Sequence, residues 1–427
     1  MRVLVVTYQF PPVGGAGVQR MAKLVRYLPE HGVEPVVLTA SNPSTPLRDE
    51  TLLADVPTGV RVVRVPTLEP GYAIKQAAVG GAPGSRTLRG AVRSAASTLL
   101  FPDPQVLWLP AAAPRALALA RGVDAVLVSA PPFSQFALAP WLARLTRARV
   151  VIDYRDEWTT TLRAGHEQSA TARVERLAAA LEGRVLASVA GVTTATAEFR
   201  EALLARFSSL DPRRVHVVPN GYDPADLPAS AAEPPTDKLV LTYAGTVFRL
   251  TSLRGLVGAL RRLAREQPDL AKLLEVRLHG RVVPSEEGVL AGGESLGVRR
   301  FGYVDHARVV EALASSHLNA CVLDAVAGAE RIYPAKIFEL LALGTRVLVL
   351  APEGALTRLA ERHHAGDVVA PRDEAAIAAV LARHLAAFRD GRYDRRSHAV
   401  DVARYDRRAL AGRMAAILRD PSAPTPD

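Results

Sequence analysis

Lys336 and Glu339 are the two residues whose types and spacing speak most directly of chemistry. They lie in Tyr333-Pro-Ala-Lys-Ile-Phe-Glu339-Leu-Leu-Ala-Leu-Gly344. Pro334 has the fixed φ that suits a first helical position. Gly344 is a helix stop before the apolar run 346–350. Three residues apart on a helix, Lys336 and Glu339 share one face near its N-terminus. Residues 331–334 offer no Ser, Thr, Asp or Asn to cap that helix. Its first N–H groups are then open to an anion, which a helix N-terminus favours. The lysine adds a point charge for phosphate, and a carboxylate one turn on can accept from sugar hydroxyls. Cation, open N–H groups and acid together fit a nucleotide sugar. The same spacing equally fits a surface ion pair on an ordinary helix.

Three further segments carry candidate groups. Ala244-Gly245-Thr-Val-Phe-Arg249-Leu-Thr-Ser-Leu-Arg254-Gly255 follows a strand pattern and precedes a helical one. Arg249 and Arg254 place positive charge at this strand-to-helix turn, which suits an anionic ligand; either arginine also fits a solvent-facing role. Gly14-Gly15-Ala16-Gly17 follows the first strand, where glycines let a backbone approach a phosphate. A tight turn needing positive φ accounts for the same residues. A dinucleotide fingerprint is excluded, because its third glycine would fall at Arg20 and residues 41–45 hold no ribose-binding acid. Asp153, Arg155 and Asp156 place three charges within four residues after the apolar Val150-Val-Ile152. In a functional role Asp156 accepts a hydrogen bond from a ligand, and Arg155 orients it. The alternative is a salt-bridged turn that anchors Trp158. No Asp-x-Asp motif or helically spaced His pair calls for a metal, and no nucleophile set such as Gly-x-Ser-x-Gly is present.

The elements that position these groups are alternating strands and helices. Apolar runs at 2–7, 35–39, 123–129, 149–153, 191–194 and 215–218 predict strands of a parallel sheet covered on both faces. Helical spacing at 18–31 and 169–186 lies between them. Residues 223–238 hold four prolines and no hydrophobic period, and predict a linker with the composition of a hinge. A second alternation follows: strands at 239–244, 274–279, 300–303, 318–323 and 346–350, and helices at 252–265, 306–315, 356–364 and 373–388. An amphipathic helix is predicted at 405–419. The expected organisation is an N-terminal Rossmann-like domain over 1–222, the linker, a C-terminal Rossmann-like domain over 239–395 and a closing segment over 396–427. Such a chain has a ligand cleft between the carboxyl edges of two parallel sheets.

A length of 427 residues supports two domains. Cys321 is the only cysteine, which excludes an intramolecular disulfide and a cysteine zinc site. Its apolar surroundings predict a buried, inert thiol. The net charge of +10 is compatible with a peripheral membrane contact. No concentrated basic block or aromatic-interleaved basic patch points to nucleic acid. The N-terminal apolar run is too short for a signal peptide, and no run reaches the length of a membrane span. A cytoplasmic protein, in reach of a membrane surface, is the expectation.

The stretch 333–344 resembles the donor-site helix of retaining glycosyltransferases of the GT-B fold, in the large family 4 group. Several other segments resemble one bacterial branch of that family, in its order and over most of the chain. They are Tyr8-Gln-Phe-Pro-Pro-Val-Gly-Gly-Ala-Gly-Val-Gln-Arg20, Phe101-Pro-Asp-Pro104, Asp153-Tyr-Arg-Asp-Glu-Trp158, Pro219-Asn-Gly-Tyr-Asp223 and Pro352-Glu-Gly354. The resemblance implies a nucleoside diphosphate sugar donor, an acceptor of unassigned identity and no cofactor. It implies donor contacts from Gly15, Gly17, Gly245, Arg249, Arg254, Glu330, Tyr333, Lys336 and Glu339, and chemistry at Arg155, Asp156, Arg254 and Lys336. Residues 66–100 correspond to an acceptor-side insertion. Two departures stand out. Arg331 occupies the place of the first acid of Glu-x7-Glu, with Glu330 one residue before it. Arg155 and Asp156 occupy the neighbourhood where many members have a His. A sugar-nucleotide 2-epimerase of the same fold, or a non-catalytic nucleotide-sugar-binding partner protein, are the competing classes. The epimerase is disfavoured by few histidines near the strand ends.

Overall fold

The computed structural model describes residues 1–45, 48–71, 100–158, 172–230 and 232–424. Two parallel sheets organise them. The first contains β1 (Arg2–Val6), β2 (Glu34–Ala40), β3 (Arg61–Val65), β4 (Ala125–Ala130), β5 (Arg149–Tyr154), β6 (Gly191–Thr194) and β7 (Val215–Val217). Its spatial order is β3-β2-β1-β4-β5-β6-β7. The second contains β8 (Leu239–Ala244), β9 (Leu274–His279), β10 (Val298–Gly302), β11 (Leu318–Val322), β12 (Val347–Leu350) and β13 (Gly366–Val369), in the order β10-β9-β8-β11-β12-β13. Both orders begin at a central strand, run outward one way and then the other. Each therefore has a switch point, between β1 and β4 and between β8 and β11, where a doubly wound sheet opens a crevice beyond its carboxyl ends. The protein is α/β, with two Rossmann-like sheets.

The apolar runs explain the burial. Successive side chains of a strand point to opposite faces. Leu4 and Val6 of β1 join one core, while Val3 and Val5 join the core on the other side. In β12, Leu348 and Leu350 pack on one face and Val347 and Val349 on the other. Strands covered on both sides read as continuous apolar sequence.

The chain divides into two compact units. One comprises Met1–Ala195, Phe199–Pro219 and Arg407–Asp427; the other comprises Thr196–Glu198 and Asn220–Asp406. The helix Arg407–Arg419 thus belongs to the first unit, where Leu410, Ala411, Met414 and Ile417 share a core with Val3, Val5 and Met21.

Two local features differ from expectation. Strands β3 and β13 were not foreseen. The helix expected to open at Pro334 begins at Lys336, because Ile337 N–H bonds to the Pro334 carbonyl and closes a tighter turn first. Most of the expected acceptor segment, residues 72–99, lies outside the described residues. Among the described residues, no helix is long and apolar enough to cross a membrane.

Candidate functional site

Lys336, Glu339 and a residue that local sequence did not single out, His306, form one half-buried cluster in the second unit. Lys336 is the first residue of the helix Lys336–Leu343, and its N-cap, Ala335, supplies no side-chain cap. Gly344 ends the helix in the left-handed conformation (φ 65°). Lys336 Nζ donates to Glu339 Oε2 at 3.0 Å. His306 Nε2 lies 2.8 Å from Glu339 Oε1. His306 opens the helix His306–Ala314, so two helix starts converge on one carboxylate. Glu339 is only 8% exposed. Burial alone would push its carboxyl up; Lys336 and then His306 overcome this and hold it well below the usual carboxylate range.

The loop beyond β8 is stapled to itself. Thr251 Oγ1 donates to the Thr246 carbonyl at 2.6 Å, and Tyr243 Oη donates to the same carbonyl at 3.2 Å. Gly245 has φ 150°, a backbone state that favours glycine. Arg249 and Arg254 are both exposed, and no hydrogen bond or ion pair engages either among the described residues. Arg254 opens the helix Arg254–Glu266, whose N-cap Leu253 also provides no side-chain cap. The following Gly255 is required by packing: a Cβ there would sit 1.9 Å from the Pro371 carbonyl oxygen. Across the switch point, Asp324 N–H bonds to the Leu250 carbonyl at 2.7 Å. The Asp324 carboxylate accepts the fork of Arg372 at 2.8 and 3.0 Å.

Glu330 accepts from Gly328 N–H at 2.9 Å and pairs with its neighbour Arg331. The two residues at the place of the missing acid are therefore bonded to each other. The Glu330 backbone is packed against Gly354, where a Cβ would lie 2.2 Å from the Glu330 carbonyl oxygen. Tyr333 is half-buried and meets Phe338 edge to face at 5.7 Å. Burial pushes its hydroxyl up.

The candidates of the first unit separate into support and exposed charge. Asp153 is fully buried and accepts from Arg20 Nη2 at 2.8 Å, Ser129 Oγ at 2.7 Å and Thr193 Oγ1 at 2.7 Å. Burial alone would push this carboxyl up; Arg20 and the two hydroxyls reverse the shift and lower it. Arg155 is also buried. It donates Nη1 to the Gly17 carbonyl at 2.7 Å and Nη2 to the Pro131 carbonyl, so it ties together the loops after β1 and β4. This corrects the reading of the glycine loop. The clearance at Gly17 is filled by Arg155, whose Nη1 would be 2.6 Å from an added Cβ. Gly15, with φ 116°, serves the turn into the helix Ala16–Tyr27. Asp156, by contrast, is exposed. Trp158, two residues on, is buried and stacks on Phe133 at 4.9 Å.

His306, Arg20 and Arg372 escaped the sequence reading. Each meets its carboxylate at a long separation along the chain, and no local spacing marks such a pair.

The comparisons bear on this arrangement. Residues 14–221 match the family model of the glycosyl transferase 4-like domain. The N-terminal half carries a glycosyl transferase 4-like domain. No curated protein matches the chain in sequence. Among solved structures, Anabaena HepE in complex with UDP and glucose aligns with a TM-score of 0.65 at 14% identity, covering 98% of this chain and 99% of that one. Sucrose-phosphate synthase from Thermosynechococcus elongatus aligns with a TM-score of 0.65 at 16% identity, covering 98% of both chains. A putative UDP-N-acetylglucosamine 2-epimerase from Listeria monocytogenes aligns with a TM-score of 0.52 at 14% identity, covering 98% of this chain and 95% of that one. At these identities the alignments establish the fold, which is GT-B. The matched domain marks the protein as an enzyme of the glycosyltransferase class.

Proposed function

We propose that the protein is a retaining glycosyltransferase that moves a sugar from a nucleoside diphosphate sugar to a hydroxyl- or amine-bearing acceptor, in glycan, glycolipid or natural-product biosynthesis. The observation that carries this reading is the uncapped helix start at Lys336, with its cation held by Glu339. Arg249 and Arg254, exposed near the β8–β11 switch point, add unpaired positive charge. Fixed cations and open N–H groups stabilise the diphosphate as it leaves, and a site already organised for that charge needs no rearrangement during reaction. Glu339 and Tyr333 then serve the nucleoside end of the donor, while Glu330 and Gly245 shape the remainder. Arg155 acts by holding the glycine loop, and Asp156 meets the acceptor or the transferred sugar. Retention without an enzymic nucleophile fits front-face attack, where the leaving phosphate takes the acceptor proton and the protein supplies position and charge.

HepE has been seen with UDP and with UDP-glucose, so uridine nucleotides head the donor panel. Nucleotide release from UDP-, GDP- and ADP-sugars, with and without extract acceptors, tests the proposal. Release that depends on both a donor and an acceptor supports it; binding of every donor without turnover points to a non-catalytic partner protein. The contact of His306 with Glu339 favours one second reading. It supplies a histidine–carboxylate pair of the kind an epimerase would use, and epimerised nucleotide sugar formed without acceptor would identify that reaction.

A further inference from the structure

Glu339 has two donors of different stiffness, and the difference separates their roles. Lys336 Nζ reaches Oε2 at 3.0 Å from the same helix. Its side chain is 25% exposed and hangs on a flexible four-carbon stem. His306 Nε2 meets the other oxygen, Oε1, at 2.8 Å. It arrives from a separate helix, His306–Ala314, as a rigid ring whose side chain is 10% exposed. An ionised carboxylate only accepts, so Nε2 carries the ring proton and donates it. The other nitrogen, Nδ1, is 4.0 Å from Asp226 Oδ2, beyond hydrogen-bond length.

The helix that carries Glu339 does not by itself fix the carboxylate. The last torsion of a glutamate joins an sp³ to an sp² carbon and is broad. A donor on one oxygen alone leaves the group free to pivot about that contact. Donors on both oxygens, from two helices, set its plane. An ionised carboxylate has about four lone-pair sites. Lys336 and His306 take one each, and the plane decides where the others point. Neutralising charge does not account for the histidine. Burial raises this carboxyl, and Lys336 is the stronger of the two groups that lower it.

We propose that His306 is a positioning residue of the donor site: its Nε2–H holds the Glu339 carboxylate in one plane, so that the free lone pairs face the nucleoside of the donor. The inference rests on the glycosyl-transfer reading, in which Glu339 serves that end of the donor. It departs from the epimerase reading, in which the imidazole itself moves a proton. The two roles respond differently to substitution. An orienting N–H can be replaced by an amide of the same reach, whereas an amide does not carry a proton between atoms.

Three variants of the full chain test this. His306→Met removes the donor, His306→Asn stays polar but falls short of Oε1, and His306→Gln carries an amide N–H to the place of Nε2. Free UDP, GDP and ADP are titrated by calorimetry, and nucleotide release from the matching sugar donors is followed beside it. The Met and Asn variants should weaken nucleotide binding and raise the donor KM about tenfold, the scale of one hydrogen bond to a charged group, with kcat within about twofold. The Gln variant should return both to within about threefold of the parent. On a Glu339→Gln background His306→Met should add less than about twofold, because the two residues act through one contact, while a general loosening of the fold would add its full effect. If the Met variant does not fold, the contrast of Gln with Asn decides. Parental affinity in the Met and Asn variants, or full additivity with Glu339→Gln, would overturn the inference and leave the transfer reading standing on parental turnover. A Gln variant that binds nucleotide like the parent but does not turn over would overturn it in favour of proton transfer by the ring. A parent that binds none of the three nucleotides would overturn both readings.

Discussion

Replacing Lys336 by Met tests the centre of the proposed donor site. Methionine keeps the length of the side chain and removes its charge. Glu339 then retains only His306, at 2.8 Å, where the parent also has Lys336 Nζ at 3.0 Å. A hydrogen bond to a charged group is worth roughly 1.5–3 kcal/mol. The lysine side chain is 25% exposed and Glu339 is mostly buried, so water offsets part of the loss. We expect stability to fall by about 1.5 kcal/mol in urea titrations. The same cation is proposed to contact the departing diphosphate. Losing it should lower kcat/KM for donor, read as nucleotide release, by roughly 10- to 150-fold on the same energy range. The pH dependence has a fixed sign. Glu339 has a folded pKa below its unfolded value of about 4.3, so its stabilisation is complete above that pH and is lost as pH falls through the folded value. In Lys336→Met the depression is smaller, so the gain shrinks and the acid limb moves to higher pH. Parental nucleotide release together with an unmoved acid limb would refute the reasoning. Glu339→Gln separates the two roles: it frees Lys336 for phosphate while weakening recognition of the nucleoside.

Asp156→Asn should lower kcat at least about tenfold with donor affinity and stability almost unchanged, because the side chain is exposed; steady-state kinetics at saturating donor, beside a thermal melt, decide this. Arg20→Met leaves the Asp153 carboxylate buried without its cation and should cost about 3–5 kcal/mol in denaturant titration, since a broken buried pair strands a charge. Gly255→Ala forces a methyl against the Pro371 carbonyl and should cost about 1–3 kcal/mol; it should also displace Arg254, so that Tm and donor turnover fall together.

How far the sequence carries depends on whether a feature is local. Strands β8 and β9 read correctly to the residue: β8 is buried throughout, and β9 alternates buried Leu274, Val276 and Leu278 with half-buried Glu275 and Arg277. Strand β3 has the sequence Arg61-Val-Val-Arg-Val65 at one sheet edge, where half-exposed positions admit charge and blur the pattern. Strand β13 is four residues long and opens on Gly366 and Asp367, which read as a turn. The site shows the same division. Lys336 and Glu339 are one helical turn apart and were visible as a pair. His306 reaches the same carboxylate across 33 residues, and Arg20 reaches Asp153 across 133. Only the fold brings such residues together. Gly17 shows a further limit. A glycine in a loop after a strand marks close approach, but the sequence does not say of what, and here the neighbour is Arg155.

The membership of the helix Arg407–Arg419 in the first unit sets an order of events during synthesis. Domains commonly fold as they emerge, the N-terminal one first. Here Val3, Val5 and Met21 wait for Leu410, Met414 and Ile417, which the ribosome delivers only after the whole second unit has been made. The second unit's long segment, Asn220–Asp406, is continuous and has its own sheet, so it can complete its core while the first still exposes apolar surface. Nascent chains halted before residue 407 should therefore hold a protease-resistant second unit beside a first unit that chaperones still recognise. Arrival of this helix is then the step that closes the first unit's core.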